Sequence, residues 1–266
     1  MHLTKHHGLG NDFLVLVDLA GTRPVGPALA RALCDRHRGI GADGLLRVTR
    51  GSFSPGAVCD VTMELYNADG GRAKMSGNGI SCLAQAVVMT GVTIGPTVRV
   101  GTDAGLRSVT LAPAGERGVH YATVDMGPAK VGDEETEWLD ENVLHAVRVD
   151  VGNPHLVLHV PDLDAVDLVA RGAQINELVP GGINVEAITP GPEPGAITMR
   201  VYERGVGITE ACGTGACAVA AAAVAWELAG AETRIHQPGG DTGIVVGDTI
   251  EMTVPVVHIA TIDVAV

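Results

Sequence analysis

Two stretches of the chain, MELYNADGGRAKMSGNGISCLAQAVV (Met63–Val88) and MRVYERGVGITEACGTGACAVAAAAV (Met199–Val224), lie over each other without a gap at a shift of 199 − 63 = 136 residues. Met63 meets Met199, Tyr66 meets Tyr202 and Gly71 meets Gly207. Gly77 and Gly79 meet Gly213 and Gly215, and Ala84, Ala86 and Val88 meet Ala220, Ala222 and Val224. A second anchor lies upstream. Gly10-Asn11 followed by Leu14-Val15-Leu16 resembles Gly152-Asn153 followed by Leu156-Val157-Leu158 at an offset of 152 − 10 = 142, so the second copy is 142 − 136 = 6 residues shorter between the anchors. Chance likeness of two Ala/Gly-rich helices would not extend into the preceding strand. Two copies of one unit predict two similar lobes related by an approximate two-fold axis, and a site between them would receive the same element from both sides.

Working outward, strand signals are short and frequent: Phe13–Asp18, Asp60–Tyr66, Thr97–Gly101, Ser108–Ala112, Tyr121–Asp125, His155–Val160, Ile197–Tyr202 and Thr249–Val254. Helix signals are few: Pro27–His37, Asn78–Thr90 and Thr214–Ala229, the last two after glycine turns. Strands outnumber helices without regular alternation, which predicts an α+β architecture and not a doubly wound parallel sheet. The hydrophobic fraction of 46% excludes a mainly disordered chain, and an aromatic fraction of 3% means a core of small and β-branched side chains.

The charge balance, 18 basic against 31 acidic residues, leaves −13, with no Lys/Arg cluster to hold nucleic acid. The start of the chain lacks an apolar signal-peptide core, and the longest apolar run, Ala216–Trp226, is too short to span a membrane. The expectation is an acidic cytoplasmic protein with neither a nucleic-acid nor a membrane partner. The five cysteines (Cys34, Cys59, Cys82, Cys212 and Cys217) form no C-x-x-C pair, so neither a zinc site nor a disulfide framework is expected.

The duplicated element reads strand, glycine turn, Ser/Cys-Gly-x-Gly, helix. Ser76-Gly77-Asn78-Gly79 opens one helix and Cys212-Gly213-Thr214-Gly215 the other. Glycines there leave backbone N–H groups free at the positive end of the helix dipole, which makes an anion site. A phosphate loop is excluded by the missing Gly-Lys-Ser/Thr ending, and G-x-G-x-x-G is absent from both turns. A thiol at a helix N-terminus is expected to have a lowered pKa, which makes Cys212 a candidate base or nucleophile. No local motif makes His155 or His236 its triad partner. Two converging helix N-termini could hold one carboxylate while two protic side chains flank its α-carbon. Inverting a stereocentre needs that arrangement: one group removes the α-proton and another supplies one to the opposite face.

The chain resembles the diaminopimelate epimerase family over essentially its whole length. The resemblance is carried by His7–Phe13, Arg38–Gly44, Tyr66–Gly70, Met75–Gly79, Gly152–His155, Glu203–Gly207 and Ala211–Ala216. It implies a cofactor-independent isomerase of lysine biosynthesis that interconverts LL- and meso-diaminopimelate with neither pyridoxal phosphate nor metal. It further implies a homodimer and two lobes, each a β-rich barrel around a central helix. The division expected is 1–118, rejoined by a strand at about 257–266, and 119–256. By the resemblance, Cys212 and Ser76 are the catalytic pair, and Asn11, Asn67, Asn153, Asn184, Glu203 and Arg204 bind substrate. Gly77-Asn78 and Gly213-Thr214 hold the reacting carboxylate, and Glu203 and Arg204 read the distal ammonium and carboxylate. One position departs: the family has cysteine where this chain has Ser76. A hydroxyl is a far poorer base than a thiolate but still donates a hydrogen bond. Proline-racemase-like relatives include Ser/Cys pairs. The departure, with Ile208 where the family has Glu, leaves two alternatives: an epimerase of another amino acid, or a non-catalytic binding homologue.

Overall fold

Short β-branched runs set the architecture. The computed structural model describes residues 1–51, 58–93 and 95–265. The chain forms two compact units, Met1–Asp125 with Thr253–Val266, and Met126–Met252.

The first unit runs β1 (His2–Gly8), β2 (Asn11–Val17), α1 (Pro27–Cys34), β3 (Gly44–Arg50), β4 (Val61–Asn67), β5 (Arg72–Ala73), α2 (Gly77–Met89), β6 (Thr97–Thr102), β7 (Gly105–Pro113) and β8 (Val119–Gly127). The second runs β9 (Lys130–Glu134), β10 (His145–Asp150), β11 (Pro154–His159), α3 (Leu168–Leu178), β12 (Asn184–Pro190), β13 (Ile197–Glu203), β14 (Gly207–Thr209), α4 (Gly213–Ala225), β15 (Glu232–Gln237) and β16 (Gly240–Val246). The long β17 (Ile250–Asp263) begins in the second unit and ends in the first.

In the first unit β1 pairs antiparallel with β2, β2 parallel with β3, β3 antiparallel with β4, β4 parallel with β6, and β6 antiparallel with β7. β7 pairs with β8, β8 with β17 and β17 with β1, which closes a ring and leaves no free edge. The second unit repeats the scheme: β10 antiparallel to β11, β11 parallel to β12, β12 antiparallel to β13, β13 parallel to β15, and β15 antiparallel to β16. The shift of 136 carries β4 onto β13 and α2 onto α4 residue for residue. Each unit is thus a β-rich barrel around one helix, the duplicated fold expected.

The central helices explain the composition. Every residue from Gly77 to Val87 in α2 and from Gly215 to Ala223 in α4 is buried. A helix enclosed on all sides needs apolar side chains all round, and Ala-rich α4 lets strands close in without bulky rings. Ile80, Leu83 and Val87 of α2 are fully buried, as are Leu46 and Val100 of the surrounding strands, while Leu14, on the other face of β2, packs with Ala30 and Leu33 of α1.

Two helix boundaries move. α1 stops at Cys34, short of the His37 expected, because the Asp35 carboxylate accepts the N–H groups of His37 and Arg38, both at 2.8 Å, and turns the chain. α4 stops at Ala225 and not at Ala229, since Glu227 takes φ 58°, outside the helical region. Helix α3, with no counterpart among the expected helices, is capped by Asp167, whose Oδ1 accepts the Ala170 N–H at 3.0 Å. The unit boundaries at Asp125 and Met252 fall inside β8 and β17, whereas breaks at 118 and 256 were expected; both strands run on through the change of unit.

Candidate active site

The two glycine turns have the same local geometry. Ser76 is the N-cap of α2 in extended conformation (φ −143°, ψ 129°), and its Oγ accepts the Gly79 N–H at 3.1 Å. Cys212 is the N-cap of α4 (φ −130°, ψ 112°), and its Sγ accepts the Gly215 N–H at 3.4 Å. In each case the cap takes the N–H three residues on, and the next two residues lie in the unbonded first turn of the helix. These are Gly77-Asn78 and Gly213-Thr214, the residues expected to hold a carboxylate.

In the first unit Asn11 opens β2 and Asn67 ends β4, on the two sides of Gly44, which pairs with Phe13 and with Asn67. Asn11 is held by its Nδ2, which donates to Asp43 Oδ2 at 2.9 Å, and the same oxygen accepts the Asp12 N–H at 3.0 Å. Asp12 in turn pairs with Arg36 at 2.7 Å and Lys5 at 2.9 Å. Burial works against the Asp12 carboxylate, but these two cations outweigh it and hold its pKa below the ordinary value. Asn78 is buried, and its Oδ1 has no hydrogen-bond partner among the described residues. Cys82 lies fully buried in the middle of α2.

The second unit joins its candidates in two sets, Asn153 with Thr214 and Cys212, and Asn184 with Arg204. Asn153 Nδ2 donates to Thr214 Oγ1 at 3.4 Å, and Thr214 Oγ1 lies 3.5 Å from Cys212 Sγ. Asn184 Oδ1 accepts the Arg204 backbone N–H at 2.9 Å, while the Arg204 guanidinium donates to the Gly181 carbonyl at 3.1 Å. The Glu203 carboxylate accepts a bond from the Thr209 hydroxyl at 2.5 Å, and its charge acts on the Cys212 thiol. Glu203 was expected to read a distal ammonium; its place beside the thiol also suits it to exchange a proton with sulfur.

Three contacts in this half-site have no sequence motif. Gln237 Oε1 accepts the Cys212 backbone N–H at 2.8 Å, and its Nε2 donates to Thr242 at 2.9 Å. Thr209 holds Glu203. Glu186 and His155 form a fully buried pair at 2.7 Å. The one readable signal was Glu186, a charged residue within the buried run of β12. His236 lies between Asp241, 2.7 Å from Nδ1, and Glu193, 3.0 Å from Nε2. Among the described residues, the hydrogen-bond partners of Cys212 Sγ include neither His155 nor His236.

The electrostatics correct one expectation. The Cys212 thiol is not lowered into the working range: burial, then the Glu203 and Glu186 carboxylates, push it well above its ordinary value against the bonds from Thr214 and Gly215. Glu203 is itself raised, chiefly by burial and further by Glu186, although Thr209 pulls it down. The unliganded half-site therefore rests with sulfur protonated. Iodoacetamide labelling of Cys212, read by peptide mass spectrometry, should be slow at neutral pH and rise only above the normal thiol range. Glu203→Gln removes the largest charge raising the thiol, so the labelling midpoint should move to lower pH. An unmoved midpoint would show that Glu203 does not act on sulfur.

Comparison with known proteins agrees with this geometry. The family model for diaminopimelate epimerase matches residues 3–132 and 147–258. The chain is 38% identical over 257 residues to the diaminopimelate epimerase of Thermobifida fusca (strain YX), covering 92% of this chain and 90% of that protein. It is 39% identical over 261 residues to that of Corynebacterium aurimucosum, covering 92% of each. Among solved structures, a probable proline racemase from Agrobacterium radiobacter K84 superposes with a TM-score of 0.73 at 18% identity, over 99% of this chain and 92% of that one, a likeness of fold. Both capping turns lie within the matched residues of a chain matched along nearly its whole length, and this chain belongs to the diaminopimelate epimerase family.

Proposed function

We propose that the chain interconverts LL- and meso-diaminopimelate by proton transfer at the α-carbon, with Cys212 and Ser76 as the two protic groups. The observation that carries this reading is the pair of equivalent helix caps, each presenting a protic side chain over an unbonded first helical turn. The N–H groups of Gly77-Asn78 and Gly213-Thr214 are the donors for the reacting carboxylate. They stabilise the charge that builds on it as the α-carbon loses its proton. One cap removes that proton and the other returns one to the opposite face, with the roles exchanged in the reverse direction. Asn11, Asn67, Asn153, Asn184, Glu203 and Arg204 orient the rest of the substrate, and the two lobes act as its two functional halves.

The resting thiol requires an activation step. A substrate ammonium brought beside Glu203 offsets part of the negative charge that raises Cys212, and Glu203 can take the thiol proton. Substrate thereby creates the base that attacks it. The reaction needs no cofactor in this scheme. By the same reading the protein works in lysine biosynthesis, in the cytoplasm and as a homodimer.

Incubation of LL-diaminopimelate in D₂O, followed by NMR, tests the proposal. The expected result is loss of the α-proton signal with formation of the meso isomer. Tight binding measured by calorimetry without any exchange would make the chain a binding homologue, and preferential turnover of proline or hydroxyproline would reassign its substrate.

A further inference from the structure

His155 in β11 and Glu186 in β12 lie on adjacent parallel strands, with Val157 registered against Glu186 and His155 against Asn184. Both side chains are 0% exposed. His155 Nδ1 meets Glu186 Oε1 at 2.7 Å, while His155 Nε2 and Glu186 Oε2 are buried with no hydrogen-bond partner among the described residues. The carboxylate reaches the base of α4: a Cβ on Gly215 would lie 2.8 Å from Glu186 Oε1. The second glycine of the Cys212 turn is therefore also needed to admit Glu186.

The duplication supplies an internal comparison. The offset of 142 between Gly10 and Gly152 places Phe13 where the second unit has His155. The start-to-start offset of β3 and β12, 184 − 44 = 140, places Leu46 where it has Glu186. Phe13 and Leu46 are buried, and the Phe13 ring lies 3.4 Å from where a Cβ of Gly79 would stand. The same barrel thus closes over the same kind of helix with two apolar side chains. Burying a charged pair there is costly, and exchange of such pairs for apolar residues is often neutral or stabilising. The pair stands behind the Cys212 turn and is replaced behind the Ser76 turn, which separates it from the requirements of folding.

We propose that Glu186 is a positioning residue of the Cys212 half-site: by accepting the Nδ1 proton of His155 it fixes the imidazole in the tautomer whose Nε2 is a bare acceptor. A carboxylate can only accept, so the proton between Nδ1 and Oε1 sits on nitrogen. A second N–H at Nε2 would be a buried donor without an acceptor, the costlier of the two arrangements. Glu186 acts on turnover through His155 and not by touching substrate. Its charge also reaches Cys212, as one of the two carboxylates that raise the thiol. The consequence for catalysis rests on the epimerase reading above; the tautomer does not.

The test uses the full-length protein with 15N-labelled histidine and three variants. In the unaltered protein the His155 imidazole should give the spectrum of the Nδ1–H tautomer. Glu186→Leu should mix or reverse the tautomers and lower kcat at least about 10-fold, with KM within about threefold, as expected of a residue that orients a buried polar group behind the Cys212 turn without touching substrate. Glu186→Gln keeps an acceptor oxygen and should restore the tautomer and most of the lost kcat. The double variant His155→Phe/Glu186→Leu, which installs the first unit's own pair, should melt no lower than the parent protein while losing turnover. The proposal is overturned if Glu186→Leu leaves the tautomer unchanged or kcat within twofold. It is also overturned if the double variant fails to fold, because the pair would then be structural. An unaltered protein that exchanges no diaminopimelate proton would sink the epimerase reading alone, and the tautomer signals would still decide the role of Glu186.

Discussion

Replacing Cys212 by serine should abolish nearly all α-proton exchange, a loss of about 10³-fold or more, while leaving the melting temperature close to that of the parent protein. The fold tolerates the change because serine is a strong helix cap and Ser76 already fills the equivalent place, accepting the Gly79 N–H at 3.1 Å. The chemistry does not tolerate it. A thiol can be brought to its anion by Glu203 and an incoming ammonium, whereas a serine hydroxyl starts from a far higher pKa that neither can overcome. General acid–base steps are worth about 10²–10⁴-fold, and the variant loses such a step in both directions. Deuterium incorporation followed by NMR at matched enzyme concentration measures the effect. Retention of more than about a tenth of the parent rate would place the chemistry elsewhere.

Ser76→Cys should act in the opposite sense, raising the rate by about 10²-fold or more in both directions, since a thiol matches the working pH where a hydroxyl does not. The second unit demonstrates that a cysteine fits this cap: Cys212 has nearly the same backbone angles and reaches the Gly215 N–H. The surroundings also favour the new thiol. Cys212 is raised by burial and by Glu203 and Glu186. At position 76 the counterpart of Glu186 is Leu46, that of Glu203 is Asn67, and Ser76 is only partly buried. A thiol there keeps the favourable end of the helix without the opposing carboxylates. Initial rates from the LL and meso substrates, measured separately, check the prediction. An unchanged rate would mean that the hydroxyl already suffices or that another group protonates that face.

Sequence reading reached the duplication, the two caps and the α+β class because each depends on local pattern: glycines at fixed spacing, short β-branched runs and a repeat that keeps register through strand, turn and helix; the barrels were implied by the family resemblance. It failed where partners meet only in three dimensions. Asp35 ends α1 through its side chain, which a periodicity of apolar residues does not register. Helix α3 carries Gly172 in its middle, a residue that weakens a helix signal. The glycine is there because the Tyr202 ring packs against it: a Cβ would meet the ring at 2.4 Å. The Cys212 thiol was misjudged because the helix terminus is visible in the sequence and the flanking carboxylates are not. Glu203 and Glu186 lie nine and 26 residues before Cys212, and only the pairing of β12 with β13 brings their strands together. Gln237 is another 25 residues beyond it in the opposite direction.

The closing strand of the first barrel, β17, is antiparallel to β1 from His2↔Asp263 to Gly8↔Val256. In the order of synthesis, that strand leaves the ribosome after the whole second unit, Met126–Met252, has been made. The second unit is continuous and can form its ladder while translation proceeds, since domains generally fold as units. The first must wait with the edges of β1 and β8 unpaired, and exposed edges of this kind invite aggregation. Truncation before Thr253 should therefore spare the unit that carries Cys212 and leave the unit that carries Ser76 open, although Ser76 itself is nearly 180 residues upstream of the cut.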